Sequence, residues 1–470
     1  METEETTTTT TTTKATKATK PDVSLDVVTL RNVRSLQLCA AGMVTSLSIL
    51  LPQNQPIVSL IMSTSTPEQV GAFVARTAAA GSLVEFLLNP LMGALGDKYG
   101  RKPIFLFAFG ANAILRGTAW YHQKSLFIVG ANMILSRAFD TIIFTTVRAA
   151  LSDMLSGEEL AFTSPKIATA AGFAVMLGPP ISLGITRVTG SHTLPLAIAA
   201  LLSGFCAYTS WNHLDETLPP SRSTAVTMAT ASPVAFLAIL THSWTTTKLM
   251  TVSLVQTVID SRNMADTNFA FQKSVLGWSN EDSGKFVVAA GIKILAGGII
   301  GKALIQRIGI RNITSFSNLV NALGSGLLVM APTWMMYTIY ILMFGDRKRD
   351  GVESMLTDLA TEQGFGRGRV AAALLNWRSL ANMGAPLLLS SLLQWGLRKK
   401  ASTGISYYSS AHHAIGIGIC ALSEFVYRSI PTEDIDHACG ARSRMNLKEI
   451  ERERVGKEQE IGEKKKEKER

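Results

Sequence analysis

The stretch GALGDKYGRKP, Gly93 to Pro103, lies between two apolar runs, from about Gly71 to Leu95 and from about Ile104 to Tyr121. Each run is near the ~20 residues that a helix needs to cross the hydrocarbon of a bilayer. The charged stretch is therefore a tight turn between two membrane spans. Gly93, Gly96 and Gly100 let the backbone turn and the helices approach closely. Asp97 places an acid at a helix end, while Lys98, Arg101 and Lys102 supply the positive charge that holds a short loop in the cytoplasm.

Composition agrees with a spanning core that carries polar tails. The 470 residues are 47% hydrophobic, and the charge is concentrated towards the ends and in the loops. The net charge of +10 does not point to nucleic acid, because the basic residues sit in alternating loops, as selection for topology produces. Cys39, Cys206, Cys420 and Cys439 are scattered and have the spacing of neither a disulfide framework nor a metal site. No cofactor is expected. The Thr-rich N-terminus has no signal-peptide pattern, so the first span, near Leu36, is expected to act as its own insertion signal.

Residues 1–35 read as a disordered cytoplasmic tail and 431–470 as a charged cytoplasmic tail. Between them, apolar segments fall near 36–59, 70–95, 103–121, 126–152, 167–187 and 193–211. After a polar linker over 213–245, six more follow near 246–271, 284–306, 313–331, 334–359, 369–395 and 409–428. This gives six-helix bundles over 36–212 and 246–430. Lys and Arg counts near the span ends favour both termini inside, with the cluster Arg398, Lys399, Lys400 as the one clear exception.

The order Gly, x, Leu, x, Asp, Lys, x, Gly, Arg, Lys resembles the loop between helices 2 and 3 of the major facilitator superfamily. An internal repeat strengthens the resemblance. KALIQRIGIR around Gly309 is a degraded copy of GALGDKYGRK, LTD at Leu356 repeats LSD at Leu151, and GAPLLLS at Gly384 repeats GPPIS at Gly178. The fold this implies is an all-α membrane protein of twelve transmembrane helices in two pseudo-symmetric bundles. AGFAVMLGPPISLG, Ala171 to Gly184, resembles the fifth-helix motif of the drug and tetracycline antiporter branch, with Gly178 and Pro179 at its core. Ser182 and Leu183 replace the family's glycine pair. A kinked, closely packed helix explains the same residues. LDETLPP, Leu214 to Pro220, resembles the ending that follows helix 6 in these antiporters.

Charges inside a bilayer are costly and usually face a hydrated cavity or a partner. The resemblance implies that helices 1, 4, 7 and 10 line the cavity, and the heaviest charge falls on them: Arg137 and Asp140, then Asp260, Arg262 and Asp266, then Asp346, Arg349 and Asp350 within DRKRD. The repeat places DRKRD inside a tenth helix over 334–359; a short helix ending at Gly345 and a charged loop is the alternative. Arg137, in LSRAFD, resembles the family's helix 4 arginine, which is associated with proton transfer; an ion pair between helices accounts for it equally well. Glu85, Arg76, Arg116, Lys293 and Arg378 are further charges within spans. For the gate, the resemblance implies that Arg101 pairs with Asp153 and that Asp97 faces the start of helix 11.

The expected activity is secondary transport of a small organic solute by alternating access, by proton-coupled antiport, in a monomer that works within the lipid bilayer with protons and solute as its partners. A passive facilitator or symporter, and a scaffold or receptor that transports nothing, are the rival readings.

Overall fold

The computed structural model describes residues 27–155, 157–218, 232–330, 333–342, 348–365 and 367–438. The regular secondary structure among the described residues is helical. The first bundle consists of Val27–Leu50 with a short continuation Asn54–Ile61, then Pro67–Tyr99, Arg101–Tyr121, Leu126–Met154, Gly157–Thr189 and Leu194–His213. In the second bundle, the seventh span is Trp244–Val258 followed by Ser261–Ser274. Asn280–Met330 holds the eighth and ninth, the tenth is Trp334–Leu342 and Lys348–Glu362, the eleventh is Arg367–Thr403, and the twelfth is Ala411–Arg428.

Six of these helices are long and apolar enough to cross a membrane on that criterion alone. The remaining spans are broken or carry buried polar groups, such as Asn112 and Arg116 on the third. A run of hydropathy is lowered by such groups, but the helix still spans when neighbouring helices satisfy them.

Local chemistry sets the helix ends. Thr66 accepts from the backbone N–H of Gln69, and the Gln69 side chain accepts from the backbone N–H of Thr66, a reciprocal cap that starts the second span at Pro67. That span has 33 residues, roughly 50 Å at 1.5 Å per residue, so it projects beyond the hydrocarbon. Gly100 then turns the chain with φ 101° and ψ 166°, and the third span begins at the next residue. Gly309 repeats this conformation, φ 79° and ψ 160°, between the eighth and ninth spans. The sequence copy around Gly309 therefore has a backbone copy as well, in a region that essentially only glycine occupies.

Each bundle has its own core. Leu36, Phe105, Phe109, Ile142, Ile143 and Leu151 are buried together in the first, and Met250, Val352, Met355, Leu356, Val370 and Tyr427 in the second. Ile114, Phe127, Leu201 and Phe425 point outward and are exposed, as apolar residues facing acyl chains are. The bundles meet where the second span packs on the eleventh and the fifth on the eighth. The fifth and eighth are close enough that a Cβ on Gly291 would lie 2.7 Å from the Met176 backbone, and one on Gly172 would lie 2.7 Å from Leu295.

Several expectations about boundaries change. The first helix begins at Val27, inside the stretch read as tail, because Val33 and Leu36 are buried. Beyond residue 431 a short helix, Thr432–Ala438, buries Ile435 and Ala438. Trp334–Leu342 and Lys348–Glu362 are helical, and residues 343–347, on which the expectation of one helix over 334–359 turns, lie outside the described residues. Asp346 lies outside the described residues, while Arg349 and Asp350 belong to the helix Lys348–Glu362.

Candidate functional site

A cavity of about 560 Å³ lies between the bundles. Its wall includes Asn54 of the first bundle and Gln272 of the second, and it reaches Arg148 on the fourth span and Arg378 on the eleventh. Arg148 precedes Asp153, the acid that meets the loop motif, by about one and a half turns. The cavity therefore extends towards the end that carries the motif.

The opposite end is closed by contacts between bundles. Gln55 donates to the Asp266 carbonyl at 3.0 Å, a Cβ on Gly71 would lie 3.0 Å from that of Ala270, and Arg187 pairs with Glu281. A hydrogen bond from Arg187, and another from Lys285, hold the Glu281 carboxyl below the usual carboxylate range. The pairing is thus fully present above the usual carboxylate range and is lost as pH falls through the depressed value. Both side chains are exposed, so its contribution is modest. Glu281→Gln is expected to loosen this end slightly and to remove the acid-side dependence. Faster labelling of a cysteine at Leu183, whose native side chain packs on Gly284, checks it.

At the centre of the first bundle the Arg116 guanidinium meets the Asp140 carboxylate, with Nη2 at 3.0 and 2.9 Å from the two oxygens. Asn112 donates to Asp140 at 2.8 Å, and Arg116 also donates to Ser46 and Ser203. One buried pair so ties the first, third, fourth and sixth spans. A second network crosses between bundles. Glu85 on the second span, buried, accepts from Arg262 on the seventh, while Arg137 Nε stands 3.8 Å from the same oxygen. Gly81, one turn before Glu85, makes room for this arginine: a Cβ there would lie 3.1 Å from Arg137 Cδ.

Of the residues expected in the cavity, Arg137, Asp140, Arg262 and Asp266 line it. Asp260 is not among the lining residues; it falls at the break between the two helices of the seventh span. Asp266 closes no salt bridge within 4.0 Å among the described residues. Asp346 and the side chains of Arg349 and Asp350 lie outside the described residues. Glu85 and Arg116 were visible as charges inside spans but not as network members, since they sit on the second and third spans and not on those the repeat marks as cavity helices. Their signal was spacing: Gly81 one turn before Glu85, and Asn112 one turn before Arg116.

The loop motif is folded back on its own bundle. Arg101, mostly buried, pairs with Asp153 at 2.9 Å and with Asp97 at 2.6 Å. Glu216, in the ending after the sixth span, accepts from the backbone N–H of Arg101 at 2.7 Å and of Lys102 at 3.1 Å. It caps the third span, satisfying donors that a helix start leaves free. A Cβ on Gly93 would meet nothing within 4 Å among the described residues. Gly178 does not: a Cβ there would lie 2.7 Å from the Ser48 backbone, and Ser48 donates to the Ala174 carbonyl at 2.8 Å.

Comparison with known proteins agrees with this architecture. Residues 36–403 match the family model described as Major Facilitator Superfamily. The chain belongs to this superfamily and is a multi-pass membrane transporter of small solutes, not an enzyme. A tetracycline resistance protein, class C, of Escherichia coli is 24% identical over 71% of this chain and 82% of its own length. The hippocampus abundant transcript 1 proteins of Mus musculus and Homo sapiens are 23% identical over 54% of this chain, which spans half of their length. Among solved structures, the human organic anion transporter MFSD10 (TETRAN) superposes with a TM-score of 0.65 at 17% identity, covering 85% of this chain and 99% of that one. A D-xylose-proton symporter superposes with a TM-score of 0.65 at 13% identity over 86% and 98%.

Proposed function

We propose that the protein exchanges a small organic solute for protons by alternating access, with Asp266 as the group that carries the proton. The observation that carries this reading is Asp266 itself, a carboxylate that lines the cavity of the seventh span, closes no salt bridge among the described residues and has its own backbone carbonyl in the contact that seals one end. A carboxylate placed so can take a proton from the cavity and give it back, and its charge changes beside the contact that must break for that end to open. Asp140, by contrast, has both oxygens committed to Arg116.

The likeness to the tetracycline resistance protein and the Gly178–Pro179 motif support antiport. The symporter among the structural neighbours shares the fold alone. In this reading the motif end is cytoplasmic, as are both termini, the structure faces the cytoplasm, the chain works as a monomer, and Arg101, Asp97 and Asp153 hold the cytoplasmic gate. Their contacts among the described residues, within the first bundle, suit a state in which that gate is open.

The test is flux in proteoliposomes under an imposed pH gradient. Asp266→Asn is expected to abolish the response to the gradient while solute-for-solute exchange continues. Asp260→Asn is expected to leave the response intact. A D266N protein that still follows the gradient would remove the assignment, and symport would show as uptake in the direction of proton flow.

A further inference from the structure

Resting on the reading of the cavity as the transport site, we infer that its solute is an organic anion, whose acidic group docks between Arg137 and Arg262 and takes over the place that Glu85 holds. The lining carries Arg116, Arg137, Arg148, Arg262, Lys293 and Arg378 against two acids, Asp140 and Asp266. Several of these cations are already committed. Arg116 is held by Asp140, and Arg378 donates to Glu353 at 3.0 Å.

Arg137 is different. Its Nε and Nη2 are buried and have no hydrogen-bond partner, although Nε lies 3.8 Å from Glu85. That carboxylate oxygen already accepts from Arg262. Two guanidinium groups thus meet one carboxylate oxygen, which leaves unsatisfied planar donors on Arg137. Burying such donors is unfavourable until an acceptor meets them. A carboxylate or sulfonate entering from the cavity offers several lone pairs, enough for both forks, with the bidentate geometry that arginine recognises. The cavity offers a cation less, because Asp140 is spent on Arg116 and the other acid, Asp266, shares the lining with Arg137 and Arg262.

The rest of the lining describes the body of the solute. Met43, Leu47, Met133, Phe144, Phe269 and Phe286 form an apolar wall, which suits an aromatic or aliphatic body with one acidic group and not a heavily hydroxylated one. Arg137 belongs to the first bundle and Arg262 to the second, so an anion held between them bridges the two halves that rock. Its arrival changes the cross-bundle contact that Glu85 makes in its absence.

The experiment compares matched aromatic probes on the full-length protein: 2-naphthoate and 2-naphthalenesulfonate, the neutral 2-naphthamide, and the cationic 2-naphthylmethylammonium. Binding is read as a shift in thermal unfolding in detergent, and transport as flux in proteoliposomes. The acids are expected to bind and to move, and the amide and the amine to do neither. Arg137→Gln is expected to lower the preference for acid over amide by about tenfold or more, with Arg137→Lys falling between it and wild type. A protein that merely misfolds would lose all ligands alike, and Arg262→Gln gives a second reading of the same preference. Binding or flux of the amine or the amide without the acids would overturn the inference and leave the transporter reading standing. Failure of the acids both to bind and to move would overturn it too. Acids that bind with an Arg137-dependent preference while no probe crosses the membrane would support the anion site and count against the transport reading.

Discussion

Asp140→Ala is expected to cost about 3–5 kcal/mol of stability, because it leaves the Arg116 guanidinium charged and unpaired inside the first bundle. Arg116 is 1% exposed, and Asp140 is its one carboxylate partner among the described salt bridges. Arg116→Met alone is expected to cost a similar amount by stranding Asp140. Replacing the whole set, Arg116→Met with Asp140→Leu and Asn112→Leu, removes every charge that needed a partner. Ser46 and Ser203 keep the Ala199 carbonyl as acceptor. The triple variant is therefore expected to recover most of the lost stability, as buried pairs often do when replaced by packed apolar groups. It is also expected to transport within an order of magnitude of wild type, since Asp140 and Arg116, although both lie in the cavity wall, are committed to each other and tie the spans together. Thermal unfolding of the purified variants, with flux measured beside it, checks both halves. A stable triple variant with no flux would make Asp140 a transport group and not a structural one.

That result would also show where sequence reading stops. Asp140 and Arg137 lie less than one turn apart on the same helix, and both were legible as charges within a span. Nothing in the linear pattern says that one turns to Arg116 on the third span and the other to Glu85 on the second, because that depends on how each helix is rotated against its neighbours. The loop from Gly93 to Pro103 was legible for the opposite reason: its turn, its charges and its close helix approach are local demands met by adjacent residues. The repeat was legible as well, and Gly309 adopts the backbone that its copy Gly100 requires.

Other features left no signal. The seventh span breaks at Ile259 and Asp260, where there is neither glycine nor proline to announce it. His412 and His413 are fully buried on the twelfth span, with ring centroids 5.0 and 5.3 Å from that of Phe271. A histidine pair in an apolar run reads as easily as a surface step. Glu216 was visible only as part of an ending after the sixth span. Its role as a cap depends on a partner 115 residues away in the chain, beyond the reach of any spacing rule.

Gly100→Ala is expected to have the second large effect, and its contrast with Gly309→Ala separates two causes. Both glycines sit at positive φ in a region that costs another residue roughly 1–3 kcal/mol. At Gly309 nothing among the described residues lies within 4 Å of a new Cβ, so backbone strain is the cost expected there. At Gly100 the new atom would stand 2.1 Å from Glu216 Oε2, so the carboxylate must leave. Its departure uncaps the N–H groups of Arg101 and Lys102 and takes away the anion at a helix start, a further loss of roughly 0.5–2 kcal/mol. It also frees the first turn that aims Arg101 at Asp153 and Asp97. Glu216→Gln isolates the electrostatic part: the side chain keeps one acceptor oxygen and loses its charge, so its effect should be smaller than that of G100A. The expected order of thermal destabilisation is G100A first, with G309A and E216Q both milder, and flux should fall most in G100A. If G100A and G309A are equally destabilised, the collision with Glu216 does not matter and strain alone explains both. If E216Q instead matches G100A, the cap and not the backbone is what the glycine protects, and the loop motif is organised around an acid that lies outside it.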